Sequence, residues 1–215
     1  MNSNENEYPP QFVIDFCKLI GLSVSKVFWR IKFSGLENIP QDLPGGLIVA
    51  PNHQTYFDPV WVCLKIKRKF RFMAWDQAFS WFAIGKFIEY VGAFPVGLNR
   101  RGFIKASRTA IRVLRSGATL IIFPEGEREF SNGNMLPFKS GAVRLAMEAG
   151  VPILPVTIRG GNAIWAQDHK LPRTGKVEII YHPLFEIEKP KDGDDPQNHL
   201  AELNNKLMKI ISSKM

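Results

Sequence analysis

Only two cysteines occur in 215 residues, Cys17 and Cys63, both inside apolar runs and without metal-ligand spacing. A disulfide scaffold is thereby excluded, and the pair reads as reduced thiols of a cytosolic-side protein. Long uncharged apolar runs are also missing: Asp15, Lys18, Lys26 and Arg30 interrupt the apolar amino-terminal region too often for a span of roughly 20 residues. No short uncharged stretch with a small-residue cleavage site precedes it. Neither a transmembrane span nor a signal peptide is therefore expected. Gly-x-Ser-x-Gly, Gly-x-Gly-x-x-Gly, Gly-x4-Gly-Lys-Ser/Thr and His-Glu-x-x-His are all absent, so metal, nicotinamide and nucleoside-triphosphate chemistry lack support. His169, His182 and His199 stand singly, and there is no internal repeat or low-complexity tract.

What is present describes one domain with a full core. Hydrophobic residues make up 45% of the chain and aromatics 12%, too apolar for a disordered protein, and the length suits one domain better than two. The net charge is +8, and it is concentrated. From Trp61 to Arg115 twelve Lys or Arg face only Asp76 and Glu89, an excess of +10 that leaves the rest of the chain at −2. A regional positive field suits an anionic partner such as a phosphate or an acidic lipid surface; no nucleic-acid partner is expected.

From Gln11 to Phe33, apolar residues Phe12, Val13, Phe16, Leu19, Ile20, Val24, Val27, Phe28 and Ile31 recur at helical spacing, predicting an amphipathic helix. It either lies in a membrane interface or packs on the domain's own core. Trp61 to Val91 adds aromatics, among them Trp75, Trp81 and Phe82, interleaved with Lys65, Lys67, Arg68, Lys69 and Arg71, a mixture that headgroup interfaces favour. Residues 1–34 accordingly read as a membrane-associating segment and 35–215 as the domain proper. Strands are predicted over 46–50, 70–74, 93–96, 119–123, 153–158 and 177–181, with helices near 59–66, 78–90, 101–116 and 139–149 and a closing helix through Leu200 to Ile211. Gly117 and Gly150 stand in helix-stop positions. Such alternation predicts an α/β fold: a mostly parallel or mixed sheet of about six to seven strands, covered by helices on both faces. Pro95 and Pro155 inside strand-like runs argue for sheet edges or bulges.

Chemistry concentrates in two segments, Asn52-His53-Gln54-Thr55-Tyr56-Phe57-Asp58-Pro59 and Phe123-Pro124-Glu125-Gly126-Glu127-Arg128. Histidine accepts a proton near neutrality, with an ordinary pKa of about 6.5, and needs a partner to fix the proton on its other nitrogen. Asp58 provides one if residues 54–57 fold back. The pattern alone equally describes a helix-capping Asp58 beside an incidental histidine. The second segment falls just past a buried-strand run, where open α/β sheets place ligands. Gly126 allows close backbone approach and Arg128 can fork onto a phosphate; a solvated turn is the plainer reading. Arg101, Lys105, Arg108, Arg112 and Arg115 are spaced 4, 3, 4 and 3, which lines them along one helical face. No acidic residue lies between Arg101 and Glu125. The stripe is either a solvated face or an anion site.

Together these segments resemble a known family. Asn52 to Asp58, Gly92-Ala93-Phe94-Pro95-Val96 leading to Arg100-Arg101-Gly102, Phe123 to Arg128, and Val151-Pro152-Ile153-Leu154-Pro155-Val156 follow the order of the four blocks of the glycerolipid acyltransferases, and look most like bacterial 1-acylglycerol-3-phosphate acyltransferases. The resemblance covers about Gly35 to Tyr181. It implies His53 as general base, Asp58 as its orienting partner, Glu125 and Gly126 in the acceptor site and Arg128 as phosphate ligand. Many members place the second block's arginine two or three residues after the strand, so here either Arg100 or Arg101 takes that role. Glu127 stands where threonine is common.

The resemblance further implies an O-acyltransferase moving an acyl group from an acyl thioester, acyl-CoA or acyl-carrier protein, to the free hydroxyl of 1-acylglycerol 3-phosphate, without cofactor or metal. The amino-terminal helix would dock on the anionic cytoplasmic face of the cell membrane, as a peripheral or monotopic protein. Two alternatives stay open: another acceptor (glycerol 3-phosphate, a lyso-aminolipid, another lysophospholipid), and a basic peripheral lipid-binding protein without catalysis.

Overall fold

A computed structural model of the protein describes residues 8–97, 99–128, 133–165, 169–190 and 192–215. Seven strands form one sheet in the order β1-β7-β6-β2-β5-β3-β4. They are β1 (Lys32–Ser34), β2 (Leu47–Pro51), β3 (Phe70–Trp75), β4 (Ala93–Val96), β5 (Thr119–Ile121), β6 (Ile153–Arg159) and β7 (Glu178–Tyr181). All neighbours are parallel except β6 and β7. The helices are α1 (Gln11–Trp29), α2 (Asp58–Cys63), α3 (Ile84–Tyr90), α4 (Arg100–Arg115), α5 (Gly141–Ala149), α6 (Gly161–Ile164) and α7 (Pro196–Ser212).

Strand β2 is the centre of the molecule because its residues have apolar neighbours on both faces and parallel partners on both edges. Leu47 and Val49 join the core formed with α1 and α2, through Ile14, Trp29, Trp61 and Val62. Ile48 and Ala50 join the opposite core, formed with α4, α5 and α7 through Ala110, Leu114, Val143 and Leu207. This period-two division of one continuous apolar run is what a doubly covered parallel strand requires. The helices add the complementary stripes. In α4, Ala106, Ala110, Ile111 and Leu114 are buried, three and four residues apart, and the side chain of Asn99 caps the first turn by accepting from Gly102 N–H at 2.7 Å. A Cβ at Gly102 would come within 2.8 Å of Gly97 Cα, so glycine there lets α4 start tight against the chain leaving β4.

Several predicted boundaries shift, each for a local reason. The amino-terminal helix stops at Trp29 rather than reaching Phe33. Arg30 takes a left-handed backbone conformation, and the chain then pairs with the beginning of β7, Lys32 N–H donating to Val177 O at 2.9 Å. Edge strand β1 is thus a strand the sequence reading had as helix. The predicted helix 78–90 divides into a 3₁₀ turn, Asp76–Ser80, and α3, because Gly85 packs directly on the backbone of Phe79 and Ala83 adopts a positive φ of 60°. Pro95 lies on edge strand β4, as expected. Pro155 lies in the interior, where three residues of the chain after β7 face two of β6 between the pairs Val156↔Tyr181 and Ile153↔Phe185. That one-residue mismatch is a bulge, and it accommodates the missing N–H.

Connections leave β2 and β5 in opposite directions. From β2 the chain crosses one sheet face through α2 to β3, and from β5 it crosses the other through α5 to β6, although β2 and β5 are neighbours. The gap between their carboxyl ends is therefore a topological switch point, where open α/β sheets form their ligand crevice.

Candidate active site

His53 and Glu125 sit at that switch point, each a few residues past its strand. The residues after β2 do not run on freely. They fold back so that Asp58, the first residue of α2, points at its own loop. Its Oδ2 accepts from Gln54 N–H at 2.6 Å and Thr55 N–H at 2.8 Å, and lies 2.8 Å from His53 Nδ1. Its Oδ1 accepts from the Thr55 hydroxyl, also at 2.8 Å. Asp58 is completely buried, and a carboxylate is tolerated there because donors surround it. Because Oδ2 acts as acceptor toward two backbone amides, Nδ1 is assigned as the protonated nitrogen and Nε2 as the acceptor. The imidazole stacks on Phe123 with ring centroids 4.0 Å apart, and its side chain keeps 17% exposure. The imidazole is thus oriented by Asp58 and Phe123, with one edge left open to solvent.

Glu125, 1% exposed, joins the two segments. One carboxylate oxygen accepts from His53 N–H at 2.6 Å and the other from Leu136 N–H at 2.7 Å. These contacts tie the loop carrying His53 to the segments that precede and follow residues 129–132. Gly126 turns the chain with φ 73°, its N–H donating to Phe123 O. A Cβ there would meet the Lys139 side chain at 2.8 Å. Glu127 faces outward, 3.8 Å from Lys139 Nζ, an exposed pair that contributes little.

Arg128 lies half-buried with its guanidinium 3.3 Å from the centroid of the Tyr56 ring, a cation–π contact. Burial lowers its pKa from the ordinary value, opposed by Tyr56 and by the charge of Asp58. Tyr56 belongs to the short loop between His53 and Asp58, so this ring contact sets the arginine against the loop that carries the pair. Arg100 and Arg101 occupy the exposed first turn of α4, past the end of β4. They share the sheet edge with His53, but β4 is three strand spacings from β2, about 14 Å. The structure thus gathers His53, Asp58, Glu125 and Arg128 into one site and leaves the arginine pair at its periphery.

Three positioning side chains carried no individual prediction. Asn52, buried, donates to Ile158 O at 3.0 Å and accepts from Ile158 N–H at 2.6 Å, clamping the end of β2 to the end of β6. Gln54 accepts from Gly161 N–H at the start of α6 and donates to Gly133 O, both at 3.0 Å. Tyr56 meets Trp81 and Trp165 edge-on. Polar residues directly after a fully buried strand were the available signal, since burial of such groups requires partners.

Comparison with known proteins bears on the family and the fold. The chain is 28% identical over 182 residues to the chloroplastic 1-acyl-sn-glycerol-3-phosphate acyltransferase BAT2 of Brassica napus, covering 83% of this chain and 52% of that protein. It is also 28% identical to the Bacillus subtilis 1-acyl-sn-glycerol-3-phosphate acyltransferase over 160 residues, 74% of this chain and 75% of that one. It spans about half the length of the Brassica napus, Arabidopsis thaliana and Chlamydomonas reinhardtii relatives it matches. The crystal structure of PlsC, the 1-acyl-sn-glycerophosphate (LPA) acyltransferase of Thermotoga maritima, has the same fold, with a TM-score of 0.77 at 27% identity over 95% of this chain and 78% of that one. The family model described as Acyltransferase matches residues 30–159, more than half the chain and the whole of the site from Asn52 to Arg128, and the protein belongs to that acyltransferase family.

Proposed function

We propose that the protein transfers a fatty acyl group from an acyl thioester to the free hydroxyl of 1-acylglycerol 3-phosphate, forming phosphatidic acid, with His53 as general base. The carrying observation is the 2.8 Å contact of His53 Nδ1 with buried Asp58, which leaves Nε2 to accept the hydroxyl proton as the oxygen attacks the thioester carbonyl. The carbon–oxygen bond forms, the carbon–sulfur bond breaks, and the proton held by His53 passes to the leaving thiolate. No acyl-enzyme is needed. Glu125 acts as a positioning residue, holding the backbone of His53 through one oxygen. Arg128, beside the pair, binds the acceptor's phosphate. The two arginines at the start of α4 offer a second anion contact, since cations at a helix's positive end are otherwise disfavoured.

The acceptor identity is tested with a mass-spectrometric transfer assay offering acyl-CoA and acyl-carrier protein against lysophosphatidate, glycerol 3-phosphate, a lyso-aminolipid and neutral monoacylglycerol. Lysophosphatidate should be the preferred acceptor. Preference for neutral monoacylglycerol would overturn the assignment. Arg128→Ala should raise the KM for lysophosphatidate about 10- to 100-fold, the loss of one charge-assisted contact, and barely change transfer to monoacylglycerol. An unaltered KM would remove Arg128 from the phosphate site.

The acceptor is a lipid, and α1 is suited to meet it. Only Ile14, Ser25 and Trp29 of this helix are buried, while Phe12, Phe16, Leu19 and Val27 point outward. Lys18 folds inward to donate to Ile66 O, which removes one charge from the outer face. No described helix is long and apolar enough to cross a membrane. We place α1 flat in the interface of the cytoplasmic leaflet, with Phe82, 97% exposed beside α3, as a second anchor. Replacing Phe12, Phe16 and Val27 together by serine should lower sedimentation with anionic vesicles at least about tenfold, given roughly 1.5–3 kcal/mol per fully buried apolar side chain. Full retention on vesicles would disprove this docking.

A further inference from the structure

The basic stripe on α4 plays no part in the proton transfer, yet it lines an open surface groove. Arg101, Lys105, Arg108, Arg112 and Arg115 line an open groove of about 890 Å³, and all five are exposed. Among the described residues Glu148 of α5 is the one acidic side chain in its lining, and Phe103 and Ile104 add exposed apolar surface at the end nearer the active edge. Five like charges along one helical face repel one another, and a face shaped only by solvation ordinarily mixes signs.

We infer that this face of α4 is the docking surface for an acidic acyl-carrier protein that delivers the thioester, an inference that rests on the acyl-transfer function proposed above. Three observations select this occupant. First, Arg101 to Arg115 spans about 21 Å at 1.5 Å per residue. A charge track of that length fits the acidic face of a helical protein better than the compact phosphates of a nucleotide. Second, α4 covers the sheet face opposite to α1: Ala110, Ile111 and Leu114 pack in one core and Ile14 and Trp29 in the other. A planar bilayer touching the outer face of α1 leaves α4 turned to the aqueous side, which argues against a lipid surface as its partner. Third, α4 begins at the carboxyl end of β4, on the edge that holds His53, so a carrier lying along it has its acyl-bearing arm beside the site. Charge complementarity of this kind acts mainly on encounter and specificity, and weakens with salt.

Lys105, Arg108 and Arg115 stand outside the proposed catalytic and phosphate sites, so a triple Lys105→Glu, Arg108→Glu, Arg115→Glu variant of the full chain separates the two functions. Binding of purified acidic acyl-carrier protein is measured by calorimetric titration, turnover with acyl-carrier and acyl-CoA donors by mass spectrometry, and binding to anionic vesicles by sedimentation. In the unaltered protein, carrier binding should be saturable and should weaken as salt is raised. In the triple variant, affinity for the carrier and kcat/KM with the carrier donor should fall at least about tenfold, while kcat/KM with acyl-CoA stays within about twofold, which also reports an intact fold. Absence of carrier binding to the unaltered protein, an equal loss with both donors, or a loss confined to vesicle binding would overturn the inference. Failure of transfer from both donors would instead condemn the acyl-transfer function, because carrier binding is read without turnover.

Discussion

Replacing His53 by alanine is expected to lower turnover by about 10²–10⁴-fold, the range that general-base catalysis supplies, equivalent to about 2.7–5.5 kcal/mol of activation free energy. The fold should survive. The backbone N–H of His53 keeps its bond to Glu125, Asp58 Oδ2 keeps the Gln54 and Thr55 amides as donors, and the lost stack on Phe123 is worth about 0.5–1.5 kcal/mol beyond its buried area. Initial rates and thermal unfolding of the same preparation separate the two effects. Transfer at the unaltered rate by His53→Ala would end the general-base assignment, because no other histidine follows β2 or β5 on this edge of the sheet.

Most of this architecture was legible in the sequence, and the failures share a cause. Strands such as Leu47–Pro51 announce themselves because burial on both faces demands an uninterrupted apolar run. Gly117 and Gly150, after α4 and α5, mark helix ends by local stereochemistry. What could not be read was decided by distant partners. Edge strand β1 exists because Lys32–Ser34 finds β7 almost 150 residues later, and nothing in its own three residues distinguishes it from the end of α1. The apolar stripe of α1 was legible, but not its direction. Only Ile14, Ser25 and Trp29 face the core, and the predicted stripe mostly faces outward.

The site divides in the same way. His53 and Asp58 are five residues apart, and their pairing needs only a local turn, so the spacing carried the geometry. Glu125 was legible as a strand-end acid, but its contacts were not. Its oxygens reach the His53 and Leu136 amides, which makes it a clasp between segments. Arg128 is brought next to Tyr56 by the same clasp, whereas Arg100 and Arg101 are fixed to edge strand β4. The strand order, not any motif, sets which arginine lies near the base.

Substitution of Asp58 should have the largest combined effect on stability and activity, and two variants resolve its two roles. Alanine removes the acceptor of both the Gln54 and Thr55 amides, at a cost of about 1–3 kcal/mol for each buried donor left unsatisfied. A total near 3–5 kcal/mol is expected, seen as a large drop in the urea midpoint, with activity lost alongside. Asparagine behaves differently. With its carbonyl oxygen toward the two amides and His53 Nδ1, its NH₂ faces the Thr55 hydroxyl, which can rotate and accept. The loop and the tautomer are then kept, while the negative charge that stabilises a protonated imidazole is gone. Asp58→Asn should therefore cost only about 1–2 kcal/mol of stability but reduce turnover roughly 10²-fold or more. If Asp58→Asn unfolds as early as the alanine variant, the carboxylate is chiefly a structural anchor of the loop. If it turns over at the unaltered rate, Asp58 is a helix-opening residue without a share in catalysis. Near-native stability with a large loss of rate is the outcome that a buried carboxylate orienting a general base requires.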